Sequence, residues 1–134
     1  MEFIEKCRKV KDLMNYSVIT VPEYAKVIDV VKILSKGNVH GVVVVGKDGK
    51  VSGVVSEIDV SRAFGRDMRN VNAKEIMSKP IKSIDPNETI CDAAKIMRET
   101  GFDRLVILDK NDFPMGMLSI TDIIRGFSDA YFKK

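Results

Sequence analysis

The chain has 134 residues, 45% of them hydrophobic and 31% charged, and its 22 basic and 19 acidic side chains leave a net charge of +3. That is an ordinary composition for a globular protein, and no apolar run approaches the roughly 20 residues that a membrane-spanning helix needs. The charge excess is too small to demand nucleic acid, and the opening MEFIEKCRKV lacks the apolar stretch of a signal peptide, so a cytoplasmic location without membrane contact is expected.

Residues 1–9 read as a short helix with Phe3, Ile4 and Cys7 on one face. Val18-Ile19-Thr20-Val21 follows as a short strand, marked by β-branched residues and closed by a proline. Val27, Val30, Val31 and Leu34 form the i, i+3, i+4, i+7 stripe of an amphipathic helix, which Gly37-Asn38 should stop. The run Val42 to Val45, a turn through Lys47-Asp48-Gly49 and the run Val51 to Val55 predict a hairpin, and a second helix should begin near Glu57. Unbroken apolar strands of this kind imply burial on both faces.

The polar segment 65–72, GRDMRNVN, shows no apolar period and reads as a linker. After it the same order returns. Ile81-Lys82-Ser83-Ile84 is a strand, and Ile90, Ala93, Ala94 and Met97 make a helix stripe stopped at Thr100-Gly101. Leu105 to Leu108, Lys110-Asn111-Asp112 and Met115 to Leu118 make a hairpin. A last helix from Ile120 runs through Phe127, Ala130 and Tyr131 to Lys133-Lys134, whose charge complements the helix dipole.

Two copies of one unit account for this order. The stretch from Val10 to Phe64 recurs 63 positions later, from Ala73 to Phe127, without insertion or deletion. Each copy alone, at about 60 residues, would bury too little surface to be comfortably stable, so the two are expected to share a core. The reading is an α/β fold of two pseudo-symmetric repeats, strand-helix-strand-strand-helix each, packed through their small sheets with an extra N-terminal helix. Its parts are residues 1–64, the linker 65–72 and residues 73–134.

Both copies end in Gly, two apolar residues, Ser, two residues and Asp: Gly53 to Asp59 and Gly116 to Asp122. Ser56 and Ser119 fall at a helix start, with Asp59 and Asp122 three residues on, where unpaired backbone N–H groups and the dipole make a positive spot that accepts phosphate oxygens. A carboxylate there offers acceptors to vicinal hydroxyls such as those of ribose. The same spacing also describes a capping box that only satisfies the helix end, and both readings stand at this point.

The doubled G-h-h-S-x-x-D motif, together with the leading Lys11-Asp12-Leu13-Met14 and Lys74-Glu75-Ile76-Met77, strongly resembles a tandem pair of CBS domains over residues 10–127. The resemblance implies a regulatory module with two clefts between the repeats, many members binding AMP, ADP, ATP or S-adenosylmethionine. Carried over by position, it implies that Asp59 and Asp122 hold ribose and that Ser56, Ser119 and Thr121 supply hydroxyls to ribose or phosphate; Ile58 stands where Thr121 does in the other copy. Val18, Thr20, Ile81 and Ser83 would lie beside the adenine, with Thr20 and Ser83 ending their strands. Phosphate would meet His40 or Arg104, by pseudo-symmetry His40 at the Asp122 cleft and Arg104 at the Asp59 cleft, while Asp103, matched to His40, would repel it.

Other chemistries lack their parts. One histidine and two isolated cysteines, Cys7 and Cys91, assemble neither a nucleophilic triad nor a zinc or disulfide framework, and both cysteines read as small buried or half-buried apolar residues. No metal-ligand cluster is present, the methionines read as core filling, and Arg8, Lys9, Lys11, Arg62, Arg66 and Arg69 read as a solvated basic face. The expectation is a non-enzymatic sensor of an adenosine nucleotide, needing no cofactor and forming a homodimer. The alternatives are a sensor of S-adenosylmethionine or methylthioadenosine, and a nucleic-acid-binding or protein–protein adaptor without a small ligand.

Overall fold

Each hairpin turns where a residue can adopt positive φ. Gly49 (φ 81°) does so in the first copy and Asp112 (φ 68°) at the matched place in the second. Asp tolerates this region better than most residues, and Asp109 Oδ1 holds the second turn by accepting from the N–H groups of Asn111 (2.8 Å) and Phe113 (3.0 Å). A computed structural model of the chain describes residues 8–36, 39, 41–79 and 82–132. Its elements are α1 (Val10–Leu13), β1 (Thr20–Pro22), α2 (Val27–Leu34), β2 (Gly41–Val45), β3 (Val51–Ser56) and α3 (Glu57–Val60) with a 3₁₀ turn over Ser61–Ala63, then α4 (Ala73–Ile76), β4 (Ser83–Ile84), α5 (Ile90–Thr100), β5 (Arg104–Leu108), β6 (Pro114–Ser119) and α6 (Ile120–Phe132).

The strands form two three-stranded sheets, β1-β2-β3 and β4-β5-β6, each with one parallel and one antiparallel pairing. The register breaks at matched places, between Val44 and Val45 and between Ile107 and Leu108. Val42, Val43 and Val44 are fully buried, as are Leu105 and Ile107, so the central strands are covered on both faces as their unbroken apolar runs predict. The α2 stripe buries Val27 and Val30 and packs Val31 and Leu34 against the same core; α5 buries Ile90, Ala93 and Met97. Gly101 (φ 79°) caps α5 in the left-handed conformation, its N–H donating to the Met97 carbonyl (2.8 Å). The stop expected at Gly37-Asn38, most of the helix expected over residues 1–9, and Lys133-Lys134 lie outside the described residues.

The chain divides into two compact units, residues 18–81 and residues 1–17 with 82–134. These units cut across the repeats, because each copy's leading short helix joins the sheet of the other copy. In the unit that holds the second sheet, Val10 N–H donates to the Glu88 carbonyl (2.8 Å), Ile90 N–H to Arg8 (2.8 Å) and Lys11 N–H to Pro86 (2.9 Å). In the 18–81 unit the same set recurs 63 positions away: Ala73 N–H to Ala25 (2.8 Å), Val27 N–H to Val71 (2.8 Å) and Lys74 N–H to Glu23 (3.0 Å). Segment 65–72, expected as a polar linker, contributes buried Val71 and partly buried Met68 to the core of its unit. Val10 and Met14 are buried with Leu105, Ile107 and Leu118; Ala73, Ile76 and Met77 are buried with Val42, Val44 and Val55.

The two motif glycines make this packing possible. The second residue after each leading helix lies along the third strand: Ser78 N–H donates to Val54 (2.8 Å), and Asn15 N–H to Met117 (2.8 Å). A Cβ on Gly116 would stand 2.6 Å from the Asn15 carbonyl oxygen, and one on Gly53 would stand 2.6 Å from Met77 Sδ and 3.0 Å from the Ser78 carbonyl oxygen. The glycine of G-h-h-S-x-x-D therefore serves backbone approach.

Candidate functional site

In the 18–81 unit the motif runs from the end of β3 into α3. Both the N–H and the hydroxyl of Ser56 donate to Asp59 Oδ2 (2.8 and 2.9 Å), closing the capping box at the helix start. Asp59 is 2% exposed, and its other oxygen is occupied as well. Arg62 Nη1 (2.7 Å) and the Ser78 hydroxyl (2.5 Å) both donate to Oδ1, and Arg62 Nη1 also donates to the Ile76 carbonyl (2.7 Å). A carboxylate has about four acceptor positions; four donor contacts converge on this one. A buried charge so surrounded offsets its desolvation by hydrogen bonds and an ion pair.

In the other unit the motif runs from β6 into α6. Ser119 N–H donates to Asp122 Oδ2 (2.9 Å), and Asp122 N–H donates to Ser119 Oγ (3.1 Å), so this helix start also carries the reciprocal box. The Ser119 hydroxyl accepts here and keeps its own proton for another partner. Asp122 is 20% exposed, and its Oδ1 forms a longer ion pair with the exposed Arg125 Nη1 at 3.6 Å, beyond hydrogen-bond reach. Arg62 and Arg125 are matched residues; what differs is the second residue after the leading helix. Ser78 reaches Asp59, whereas Asn15, its counterpart, turns Oδ1 to the Ser17 N–H (2.8 Å).

Strand register gathers the other expected residues at the same end of each sheet. β5 pairs Arg104 with Ser119, and parallel β4 starts at Ser83, paired with Val106. Thr121 is exposed in the first turn of α6, and Ile120 N–H donates to the Asp103 carbonyl (2.8 Å). The half-buried Arg104 approaches Asp103 at 3.5 Å. The 18–81 unit groups Thr20, at the start of β1 opposite Val43, with Ser56 and Asp59. Thr20 and Ser83 open their strands instead of ending them, because each strand starts later than its β-branched run; Val18 is half-buried and precedes β1. His40 and Ile81 lie outside the described residues.

Sequence reading missed the contacts of Arg62 and Ser78. The basic residue three positions after each aspartate is visible in the sequence and fits an i, i+3 ion pair. Nothing local marks Ser78, which reaches Asp59 from 19 positions away. Cys91 corrects the expectation of a small buried or half-buried apolar residue outside any disulfide framework: it is exposed near the start of α5 and disulfide-bonded. The expectation for Cys7 lies outside the described residues. Among the described residues no group of His, Cys, Asp and Glu could hold a metal ion, and no helix is long and apolar enough to cross a membrane.

With this geometry in place, comparison with known proteins identifies the architecture. A family model described as the CBS domain matches residues 10–66 and 73–129. The uncharacterised protein MJ0188 of Methanocaldococcus jannaschii is 34% identical over 119 residues, which are 87% of this chain and 43% of that protein. The chain thus spans less than half the length of this relative. The CBS domain pair of protein MJ0100, solved in complex with 5′-methylthioadenosine and S-adenosyl-L-methionine, superposes with a TM-score of 0.81 at 22% identity, covering 92% of this chain and 98% of that one. CBSX2, solved in complex with AMP, superposes with a TM-score of 0.77 at 22% identity and the same coverages.

Proposed function

Because the chain belongs to the CBS domain family, we propose that it is a regulatory ligand-binding module, not an enzyme, and that it takes the ribose of an adenosine nucleotide at the Ser119–Asp122 motif. The observation that carries this reading is Asp122 itself: its side chain is partly exposed, and its Oδ1, with Arg125 at 3.6 Å, accepts no hydrogen bond among the described residues. Two vicinal hydroxyls can donate to such a carboxylate, and hydrogen bonds to a charged acceptor are stronger than neutral ones. Ser119, whose hydroxyl accepts from Asp122 N–H, and the exposed Thr121 offer hydroxyls at the start of α6, a helix N-terminus that favours the negative charge of a phosphate. Arg104, which the resemblance assigns to the Asp59 cleft, pairs in register with Ser119 and lies 3.5 Å from Asp103, and we assign its permanent cation to the Asp122 motif instead. Adenosine compounds bound to two similar structures support the ligand class, and Arg104 favours AMP, ADP or ATP over the phosphate-free S-adenosylmethionine and methylthioadenosine.

A ligand transmits a signal only through different affinities for two states of the protein or its assembly. Ile120, Ile124, Phe127 and Tyr131 leave an exposed apolar side on α6, which supports the expected homodimer. The test of ligand class is thermal unfolding against AMP, ADP, ATP, S-adenosylmethionine, methylthioadenosine and the guanosine nucleotides. A compound at 100 times its Kd adds about 2.7 kcal/mol of stability. An adenine nucleotide should raise the transition where its guanosine counterpart does not, and Asp122→Ala should weaken binding by about 1.5–3 kcal/mol. Absence of a shift with every compound would overturn the reading in favour of an adaptor.

A further inference from the structure

The two motifs are near-identical in sequence, yet one aspartate is saturated and the other is not. We infer that the motif of the 18–81 unit is closed from within by Ser78 and Arg62 together, so that the chain takes one equivalent of ligand, at Asp122, with the second residue after each leading helix supplying or withholding the donor that distinguishes the two motifs. This inference rests on the reading of Asp122 as a ribose site.

The two motifs differ at one carboxylate oxygen. In both units Oδ2 serves the helix start, accepting from the N–H of Ser56 or of Ser119. Oδ1 is the oxygen left for a ligand. On Asp59 it already accepts from the Ser78 hydroxyl and from Arg62 Nη1, and the residue is 2% exposed. An incoming diol would have to displace a charged, two-point donor that also holds the Ile76 carbonyl. On Asp122 the matched Arg125 stays 3.6 Å away, and Asn15, whose side chain is engaged with Ser17, supplies no donor. Arginine is common to both motifs and cannot by itself explain the difference. The Ser78/Asn15 pair can: a short hydroxyl at 78 donates into the motif, whereas the amide at 15 is held by its own turn.

Calorimetric titration with AMP and, in parallel, 5′-methylthioadenosine tests this, since the two share a ribose. The wild-type chain should bind one equivalent, abolished by Asp122→Ala and kept by Ser78→Ala. The combined Arg62→Ala and Ser78→Ala variant should bind a second. The reciprocal exchange, Asn15→Ser, should weaken binding at Asp122 about tenfold by placing a hydroxyl donor on Oδ1, a loss of about 1.4 kcal/mol. Two equivalents in the wild type, one of them lost in Asp59→Ala, would overturn the inference, as would unchanged affinity in Asn15→Ser. Should the combined variant not fold, the reciprocal exchange decides. Thermal unfolding without ligand separates this inference from the reading beneath it: Asp59→Asn should lower Tm several degrees more than Asp122→Asn. If neither compound binds any variant, the ligand reading fails and these melts decide closure, equal shifts overturning it.

Discussion

Replacing Gly116 with alanine should separate α1 from the sheet that holds it. The new methyl group would stand 2.6 Å from the Asn15 carbonyl oxygen and 3.2 Å from Met14 Cε. The first obstacle is backbone, so relief requires the segment after α1 to move away from β6. That movement strains or breaks two hydrogen bonds, Asn15 N–H to Met117 (2.8 Å) and Met117 N–H to Asn15 (3.0 Å), each contributing about 1 kcal/mol. It also loosens Met14, 6% exposed, which packs in this core with Val10, for about another 1 kcal/mol if half of a side chain's burial is lost. Alanine returns about 0.5–1 kcal/mol by restricting the unfolded chain. The net expectation is a loss of about 2–2.5 kcal/mol, measured as a shift of the urea unfolding midpoint at constant slope. Gly53→Ala should cost less, about 1–2 kcal/mol, because its nearest obstacle is the flexible Met77 side chain and the Ser78 carbonyl stands farther off, at 3.0 Å. A change below about 0.5 kcal/mol in Gly116→Ala would refute the docking of α1 on β6.

Leu118, fully buried in the core of the second sheet, should cost about 2–5 kcal/mol when cut to alanine, read from the same urea titrations. Thr89 caps α5 by accepting from Asp92 N–H (3.1 Å) while its own N–H donates back to Asp92 (3.2 Å), so Thr89→Ala should cost about 1 kcal/mol with little change in unfolding slope. The Asn72 N–H, and after it Arg66, hold the Glu75 carboxyl below its ordinary value. A depressed folded-state value stabilises the fold above the unfolded-state value, near 4.3, and that stability is lost as pH falls through the folded value. The Tm advantage of wild type over Glu75→Gln should therefore be present at pH 6 and vanish in acid, and a pH-independent difference would contradict it.

Much of the fold is legible from residue order, because the signals are local. A four-valine run between turn residues can only be a buried strand here, and the Val27-Val30-Val31-Leu34 spacing can only hide its apolar side as a helix. The doubling of G-h-h-S-x-x-D likewise locates two helix starts, and the resemblance that rests on it names the family. Strand ends are less legible: β1 begins at Thr20 instead of Val18 because the ladder follows pairing with Val43, and β-branched residues alone do not specify that partner.

Tertiary structure alone decides two things. One is which sheet each leading helix joins, since Val10-Met14 and Ala73-Met77 carry the same apolar pattern and either sheet could bury it; the crossing appears in tertiary contacts such as the carbonyls that accept from Val10 and Ala73. The other is the state of the two aspartates. Asp59 and Asp122 share a motif and the same arginine three residues on, so every local rule treats them alike. Their difference is set by Ser78 and Asn15, brought beside the motifs by the crossed helices from 19 positions away in one unit and 107 in the other. Hydrogen bonding is short-ranged, so which donor reaches a buried oxygen depends on positions within about 3 Å in space, a quantity that residue order does not contain.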